Sequence, residues 1–449
     1  MMKKVLVVIL TLALTISLVA CSSKGTKEPT SENGTTKEQT DVEKSEDVAD
    51  PVTIKVFSNL PDRTSGQGFV EQTLFDAYMD ENTNVTIEVE TLDDEAYKTK
   101  FKAYAAGSKM PDLVSVWGQP GFIDEVIDAG ILEPLHEEDY KEYGFINGSL
   151  DGFSKDGVIF GLPRNTDVLA FYYNQKMFQD HGWTVPQTYD ELLTLADKIN
   201  AEDIIPVAMD GGDKWPLYIF ITDLMMKIDG SGILDKVKTA ITNKDFSDPT
   251  FMQAADLLYE SAQRDLFEIG FETTDYGTAQ NLFTNAQSAM YYMGSWDMSM
   301  ATNQDIPAEI RDNIRVFTMP VIQGGKATAT DITAWNGGGY SITSSGAQKE
   351  EARKLLNYMF KPEGWTKLAW ENGVCMSAQD FAQFETGNET EIQKQFMQIV
   401  KTSTNISGSP LGDLGTTEFK TVTEDSVQDL SIGKITSEEF LTGLENVYK

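Results

Sequence analysis

Four tryptophans in this chain stand beside amide or carboxylate residues: Trp117-Gly118-Gln119, Asp213-Lys214-Trp215, Trp296-Asp297 and Trp335-Asn336. An indole face stacks on an apolar ring, and a planar amide or carboxylate exchanges hydrogen bonds with hydroxyls, so the pairing suits non-covalent capture of a small molecule. Asn59, Asn165 and Asp167 belong with them as turn-adjacent polar residues. Each also has an ordinary reading as a core tryptophan, a turn-forming Asn or Asp, or a helix N-cap. Residues for covalent or metal chemistry are scarce. Histidine occurs only at His136 and His181, and cysteine only at Cys21 and Cys375. That is too few ligands for a His-based or Cys-based zinc site or an iron–sulfur cluster. Neither histidine lies in a nucleophile-elbow sequence, and no P-loop Gly-x-x-x-x-Gly-Lys is present. No catalytic residue, metal or cofactor is expected. With 70 acidic residues, carboxylate pairs arise by chance, so composition alone does not reject a secreted hydrolase of the two-carboxylate type.

The chain has 449 residues, 41% hydrophobic and 10% aromatic, enough for two or three domains or one large divided one. Lys and Arg total 36 against 70 Asp plus Glu, a formal net charge of −34. Such a surface repels phosphate backbones, which excludes nucleic acid as a partner. The six arginines make a multi-Arg anion clamp hard to build.

Lys3 and Lys4 precede an apolar run from Val5 to Ala20, shorter than the roughly 20 residues of a spanning helix. Residues 1–20 read as a secretory signal. Leu18-Val19-Ala20-Cys21-Ser22 resembles a bacterial lipobox, so Cys21 is the expected lipidation site. Residues 21–50, with hardly any apolar side chains, form an expected disordered tether. Cys375 then lacks a disulfide partner and is expected in the core.

From Pro51 the periodicity alternates. Strands are expected at 53–57, 85–92 and 113–117, and helices at 69–81, 95–106 and 123–129, a β-α-β-α-β-α order that predicts a mainly parallel sheet covered by helices. Further strands are expected at 158–161, 168–173, 288–293, 314–319 and 337–342. Thr188-Tyr189-Asp190-Glu191 is a capping box opening a helix to about residue 201, and Thr436–Glu439 is another. Helices are also expected at 217–227, 250–264, 276–285, 349–360, 363–371, 391–402 and 419–431.

The order of several short motifs resembles the solute-binding proteins of ABC importers, in particular the sugar-binding group that includes maltose-binding protein. The motifs are Pro111-Asp112-Leu113-Val114, Gly130-Ile131-Leu132-Glu133-Pro134-Leu135, Gly161-Leu162-Pro163 with Phe171-Tyr172-Tyr173-Asn174, Gly182-Trp183 with Pro186 and Thr188, Ala289-Met290 before Gly294-Ser295-Trp296, and Gly337-Gly338-Gly339-Tyr340 before Ser341-Ile342. They span roughly residues 52–375; beyond that the pattern is only generic helix. The resemblance implies an α/β, two-lobed periplasmic-binding-protein-like fold, each lobe a sheet flanked by helices, with three hinge crossovers near Arg164–Val168, Val316–Met319 and Trp370–Cys375. Residues 51–166 and 317–371 would form lobe 1, and 167–316 and 372–449 lobe 2, with ligand between them.

On that resemblance the ligand-binding residues are Asn59, Trp117, Gln119, Asn165, Asp167, Asp213, Trp215, Trp296, Asp297, Trp335 and Asn336, with Trp296 stacking on a sugar ring. Asp413 could reach the cleft from the tail. Trp183, Trp365 and Trp370 are expected to pack. The implied protein is not an enzyme. It is a monomeric, lipid-anchored binding subunit at the extracellular face of a bacterial membrane, delivering a mono- or oligosaccharide to an ABC permease served by a separate ATPase. A polyamine or other cation, which the acidic charge favours, is the alternative solute; a glycoside hydrolase and a surface adhesin are the alternatives outside transport.

Overall fold

Where apolar residues alternate at period two, the chain forms strands whose faces split between core and solvent. In 85–91, Val85 and Ile87 are buried while Thr86 and Glu88 are exposed. The computed structural model describes residues 50–107 and 109–448; the expected signal segment, Cys21 and the tether through residue 49 lie outside the described residues. The first part runs β1 (Val52–Ser58), α1 (Gly66–Glu81), β2 (Val85–Thr91), α2 (Asp94–Ala106), β3 (Leu113–Trp117) and α3 (Pro120–Asp128). A hairpin, β4 (Ser154–Lys155) and β5 (Val158–Ile159), precedes β6 (Leu162–Pro163). The middle comprises β7 (Thr166–Asn174), α4 (Gln175–His181), α5 (Tyr189–Asn200), β8 (Ile205–Ala208), α6 (Trp215–Asp229), α7 (Ile233–Asn243), α8 (Pro249–Gln263), α9 (Tyr276–Thr284), β9 (Ser288–Gly294), α10 (Ala308–Arg311) and β10 (Ile314–Phe317). The last part holds β11 (Asp331–Ile332), β12 (Ala334–Asn336), β13 (Gly338–Ile342), α11 (Lys349–Phe360), α12 (Trp365–Glu371), α13 (Glu391–Thr402), β14 (Asn405–Ile406), α14 (Thr417–Ser431) and α15 (Ser437–Asn446).

Two five-stranded sheets result. The first has the order β2-β1-β3-β13-β6, parallel among β1, β2 and β3 and antiparallel at β13. The second has the order β10-β7-β9-β8, with β12 also on β7, and only β8 and β9 are parallel. The expected mainly parallel sheet is therefore found only among β1, β2 and β3; both five-stranded sheets are mixed. Both sheets are covered on both faces. Phe171 on β7 packs into a core with Leu192, Leu224, Leu258 and Val427, while its neighbours Ala170 and Tyr172 pack oppositely with Phe283 and Phe396. Ile54 and Val56 of β1 meet Leu355 and Trp365 on one side of the first sheet; Phe57 meets Tyr97 and Phe153 on the other.

The chain passes between the sheets three times. The first passage, from β6 to β7, falls at Arg164-Asn165. The second differs from the expected Val316–Met319. The chain after β10 stays with the second sheet, because β12 pairs with β7 and Lys227 donates to the carbonyls of Thr328 (3.3 Å) and Asp331. It reaches the first sheet only at Gly337, so residues 317–336 do not belong to lobe 1 as expected. The third passage also differs from the expected Trp370–Cys375. Met376 packs into the second core, but Ala378 O accepts from the Ile146 amide, Gln379 Nε2 donates to the Tyr143 and Phe360 carbonyls at 2.6 and 2.7 Å, and the Asp380 amide donates to Gly144 O. The chain thus stays with the first lobe through Asp380, and residues 372–380 do not belong to lobe 2 as expected. Trp183, Trp365 and Trp370 are buried packing residues. Burial pushes the Cys375 thiol up to about 12, so it stays protonated. Both expected capping boxes form, at Thr188–Glu191 and Thr436–Glu439. Helices α4 and α7 had no expectation; Asn174, whose side chain caps α4 at the Met177 amide, stands within the strand motif itself.

Helix α6 is buried on all sides from Pro216 to Ile228, mostly apolar, with its two buried charges partnered inside: Asp223 accepts from the Tyr292 and Thr333 hydroxyls, and Lys227 donates to the Asp331 carbonyl. Leu224 within it is wholly inaccessible. Leu224→Ala is expected to lower unfolding free energy by about 2–5 kcal/mol in a urea titration, with the denaturant midpoint moving and the slope unchanged.

Candidate functional site

Every passage between sheets brings polar residues to the same seam. Arg164 is buried at the first of them. Its Nε donates to Gln67 Oε1 at 2.7 Å, its Nη1 to Asn59 Oδ1 at 3.1 Å, and its guanidinium lies 5.6 Å from the Tyr340 ring centroid. Asn59 passes the contact on, its Nδ2 donating to Asp94 Oδ1 at 2.8 Å. Asp167 accepts from Asn165 Nδ2 and from the Gly337 amide. The approach is close enough that a Cβ on Gly337 would stand 2.1 Å from Asp167 Oδ2, which explains a glycine at the second passage. Burial raises the Asp167 carboxyl to about 7, against the lowering pull of Arg164 and its hydrogen bonds. Asn165 Oδ1 is buried without a hydrogen-bond partner among the described residues.

These residues form part of the lining of a cavity of about 670 Å³. On the second-sheet side four aromatics follow one another round its wall. Trp335, paired with Asp167 across β12 and β7, has its ring 6.1 Å from Trp296; Trp296 lies 5.9 Å from Trp215, and Trp215 6.4 Å from Tyr276. All three indoles are half-buried, so each keeps a face available to the cavity. Asp297 is turned toward its own neighbours, accepting from the Tyr276 hydroxyl and, at 2.9 Å, from the Tyr291 hydroxyl; burial raises it to about 6. Asp213 accepts from the Tyr276 amide at 3.2 Å and donates its own amide to Asp210 Oδ1 at 3.0 Å. Burial and the neighbouring Asp213 raise Asp210 to about 9, and burial raises Asp213 as well. On the first-sheet side Trp117 ends β3, 5.1 Å from Phe122, with Lys98 Nζ 5.4 Å from its ring centroid. Gln119 is buried at the start of α3.

Of the eleven ligand-binding residues expected from the sequence, Asn59, Trp117, Gln119, Asn165, Asp167, Asp213, Trp215, Trp296, Asp297 and Trp335 all line this cavity. Asn336 does not. Successive strand residues face opposite ways, so its neighbour Trp335 takes the cavity side, and Asn336 Oδ1 accepts from Thr166 Oγ1 at 2.8 Å. Sequence reasoning missed Arg164, Gln67, Glu95, Lys98, Tyr218, Tyr276, Gln280 and Lys420, which also line it. Arg164 carried one usable signal, its place beside Asn165 in a chain poor in arginine.

The chain belongs to the bacterial extracellular solute-binding protein family, whose pattern matches residues 62–364. Members of this family are substrate-binding receptors and not enzymes. The multiple sugar-binding protein of Streptococcus mutans is 24% identical over 291 residues, 62% of this chain and 65% of that protein. The alpha-glucosides-binding periplasmic protein AglE of Rhizobium meliloti is 28% identical over 279 residues, 57% of this chain and 58% of its own length. This chain thus spans less than two thirds of these curated relatives. A chitin oligosaccharide binding protein of known structure, 23% identical, superposes with a TM-score of 0.77 over 88% of this chain and 98% of that one, which establishes the shared two-lobed fold.

The raised carboxyls give a pH dependence with a definite sign. Between pH about 4 and about 7 folded Asp167 holds a proton that the unfolded chain has lost, so stability falls as pH rises, at up to about 1.4 kcal/mol per unit. Asp297 and Asp223, each raised to about 6 with burial as the main cause, act in the same direction. Ligand-free protein is therefore expected to melt at a lower temperature at pH 8 than at pH 5.5. Asp167→Asn is expected to raise the pH 8 midpoint and shrink the difference, the new amide donating to the free Asn165 Oδ1.

Proposed function

We propose that the cavity captures a carbohydrate and that the protein delivers it to the membrane permease of an ABC importer. The observation that carries this reading is the run of Tyr276, Trp215, Trp296 and Trp335 beside the acceptor pair Asn165 and Asp167. Apolar sugar faces stack on the indoles, and sugar hydroxyls donate to the unpaired Asn165 Oδ1 and to Asp167. Trp117 and Gln119 supply the opposing wall, while Asn59, Asp213 and Asp297 mainly position Arg164, Trp215 and Tyr276. Sugar-binding relatives and neighbours of the same fold support the assignment. Lobe closure about the three passages traps the ligand, and the closed form is what the permease reads. In the same reading the protein acts as a monomer, tethered through lipidated Cys21 to the extracellular face of the membrane.

Carboxylates outnumber cations in the lining, which favours a second solute class, polyamines. Calorimetric titration with neutral mono- and oligosaccharides, polyamines and uronates separates the two. A neutral saccharide is expected to bind, and Trp296→Ala to weaken it by about 10- to 100-fold. Binding of polyamines alone overturns the sugar assignment.

Anchoring is tested separately. Cys21→Ser is expected to move the protein from the membrane fraction to the culture medium without changing the affinity of the released protein; unchanged membrane retention overturns the anchor.

A further inference from the structure

One wall of the cavity comes from beyond the family match. The turn Leu411–Leu414 and α14 pack on α6, and Asp413 and Lys420 both line the cavity. Lys420 Nζ donates to Asp413 and, at 2.9 Å, to the Tyr218 hydroxyl, which itself donates to Asp413 Oδ1 at 3.2 Å. Glu424 lies 3.9 Å from the same ammonium. The side chains of Asp413 and Lys420 are only 7% and 16% exposed, so this is a built, desolvated cluster and not a surface ion pair.

Across the seam the same segment presses on the first lobe. A Cβ on Gly121, in the first turn of α3, would stand 3.3 Å from Gly412 O and 3.4 Å from Asp413 Cα. Thr417 Oγ1 donates to Gly121 O at 3.2 Å. Backbone against backbone leaves no gap through which a chain of sugar rings could pass between α3 and the tail.

We infer that this tail wall reads one terminus of the ligand: an oligosaccharide abuts it, the terminal sugar exchanging hydrogen bonds with Asp413 and Lys420, and no longer chain extends past it. The inference rests on the carbohydrate reading and adds to it a substrate class, oligosaccharides with one free and specifically recognised end. A carboxylate and an ammonium side by side supply an acceptor and a donor together, which suits adjacent hydroxyls.

The test is calorimetry of the full-length chain with malto-, cello-, xylo- and chito-oligosaccharides of increasing length, each free, carrying a bulky aryl group at the reducing end, or blocked at the non-reducing end. In the wild type, blocking one particular end is expected to cost about 100-fold or more in affinity, while blocking the other costs little. Asp413→Asn with Lys420→Gln removes both charges of the pair together, Lys98 remaining as a cation acting on Glu424, and is expected to weaken the free oligosaccharide by about 10- to 100-fold. Gly121→Val leaves the cluster intact but holds α3 off the tail, and is expected to restore much of the affinity for the chain blocked at the recognised end. Equal tolerance of blocking at both ends, or variants with the wild-type profile, overturns this inference and leaves carbohydrate binding standing. Absence of binding to every saccharide overturns both.

Discussion

A buried guanidinium fixes where the chain leaves its first sheet. Arg164 has no carboxylate within ion-pair distance among the described residues, so its charge is satisfied by the oxygens of Gln67 and Asn59 and by the face of Tyr340. Those three partners lie on α1, at the end of β1 and on β13, so one side chain ties three elements of the first lobe to the first residue of the passage. Leaving such a charge uncompensated would cost far more than the loss of any one contact. The passage is therefore a fixed point, and Asn165 and Asp167, immediately downstream, inherit their positions from it.

The second passage meets the first at the same place, and closeness is its governing constraint. A Cβ on Gly338 would stand 2.7 Å from Arg164 Nη2, so the strand that carries the chain back must be bare of side chains where it runs alongside the guanidinium. The residues just before it are free to differ: Trp335 faces the cavity and Asn336 faces away. Stacking surface, carboxylate and buried cation are thereby brought within one turn of strand, by pairing across β12 and β7 rather than by any loop of their own.

What the sequence disclosed follows from the range of the interactions involved. The β-α alternation of the first lobe, the capping boxes and tryptophans at strand ends are local patterns, and they were legible. The second passage was not. Pro320 after an apolar strand looks like an exit, but a buried lysine, Lys227, 101 and 104 residues upstream of its partners, holds the following loop against the second sheet. Tyr276 and Gln280 share a face of α9 that no periodicity marks as facing a cavity, since the packing of that helix decides it. Lys420 lies on a tail helix whose sequence is generic; only the fold brings it beside Tyr218.

The cavity concentrates groups that are costly to hold without a ligand. Asp167 and Asp297 are pushed up by burial, Asn165 Oδ1 has no donor among the described residues, and the tail cluster sits in contact with both lobes. On the proposed function, the cost at Asn165 and at the tail cluster depends on the two lobes standing together, whereas Asp297 is buried against Tyr276 and Tyr291 of its own lobe. A ligand that supplies hydroxyl donors removes the cost in the closed state and does little in the open one. That difference in interaction between the two states is what a ligand needs in order to shift the population toward closure. On that reading, the desolvation of these buried acceptors and the capacity to signal occupancy are one property.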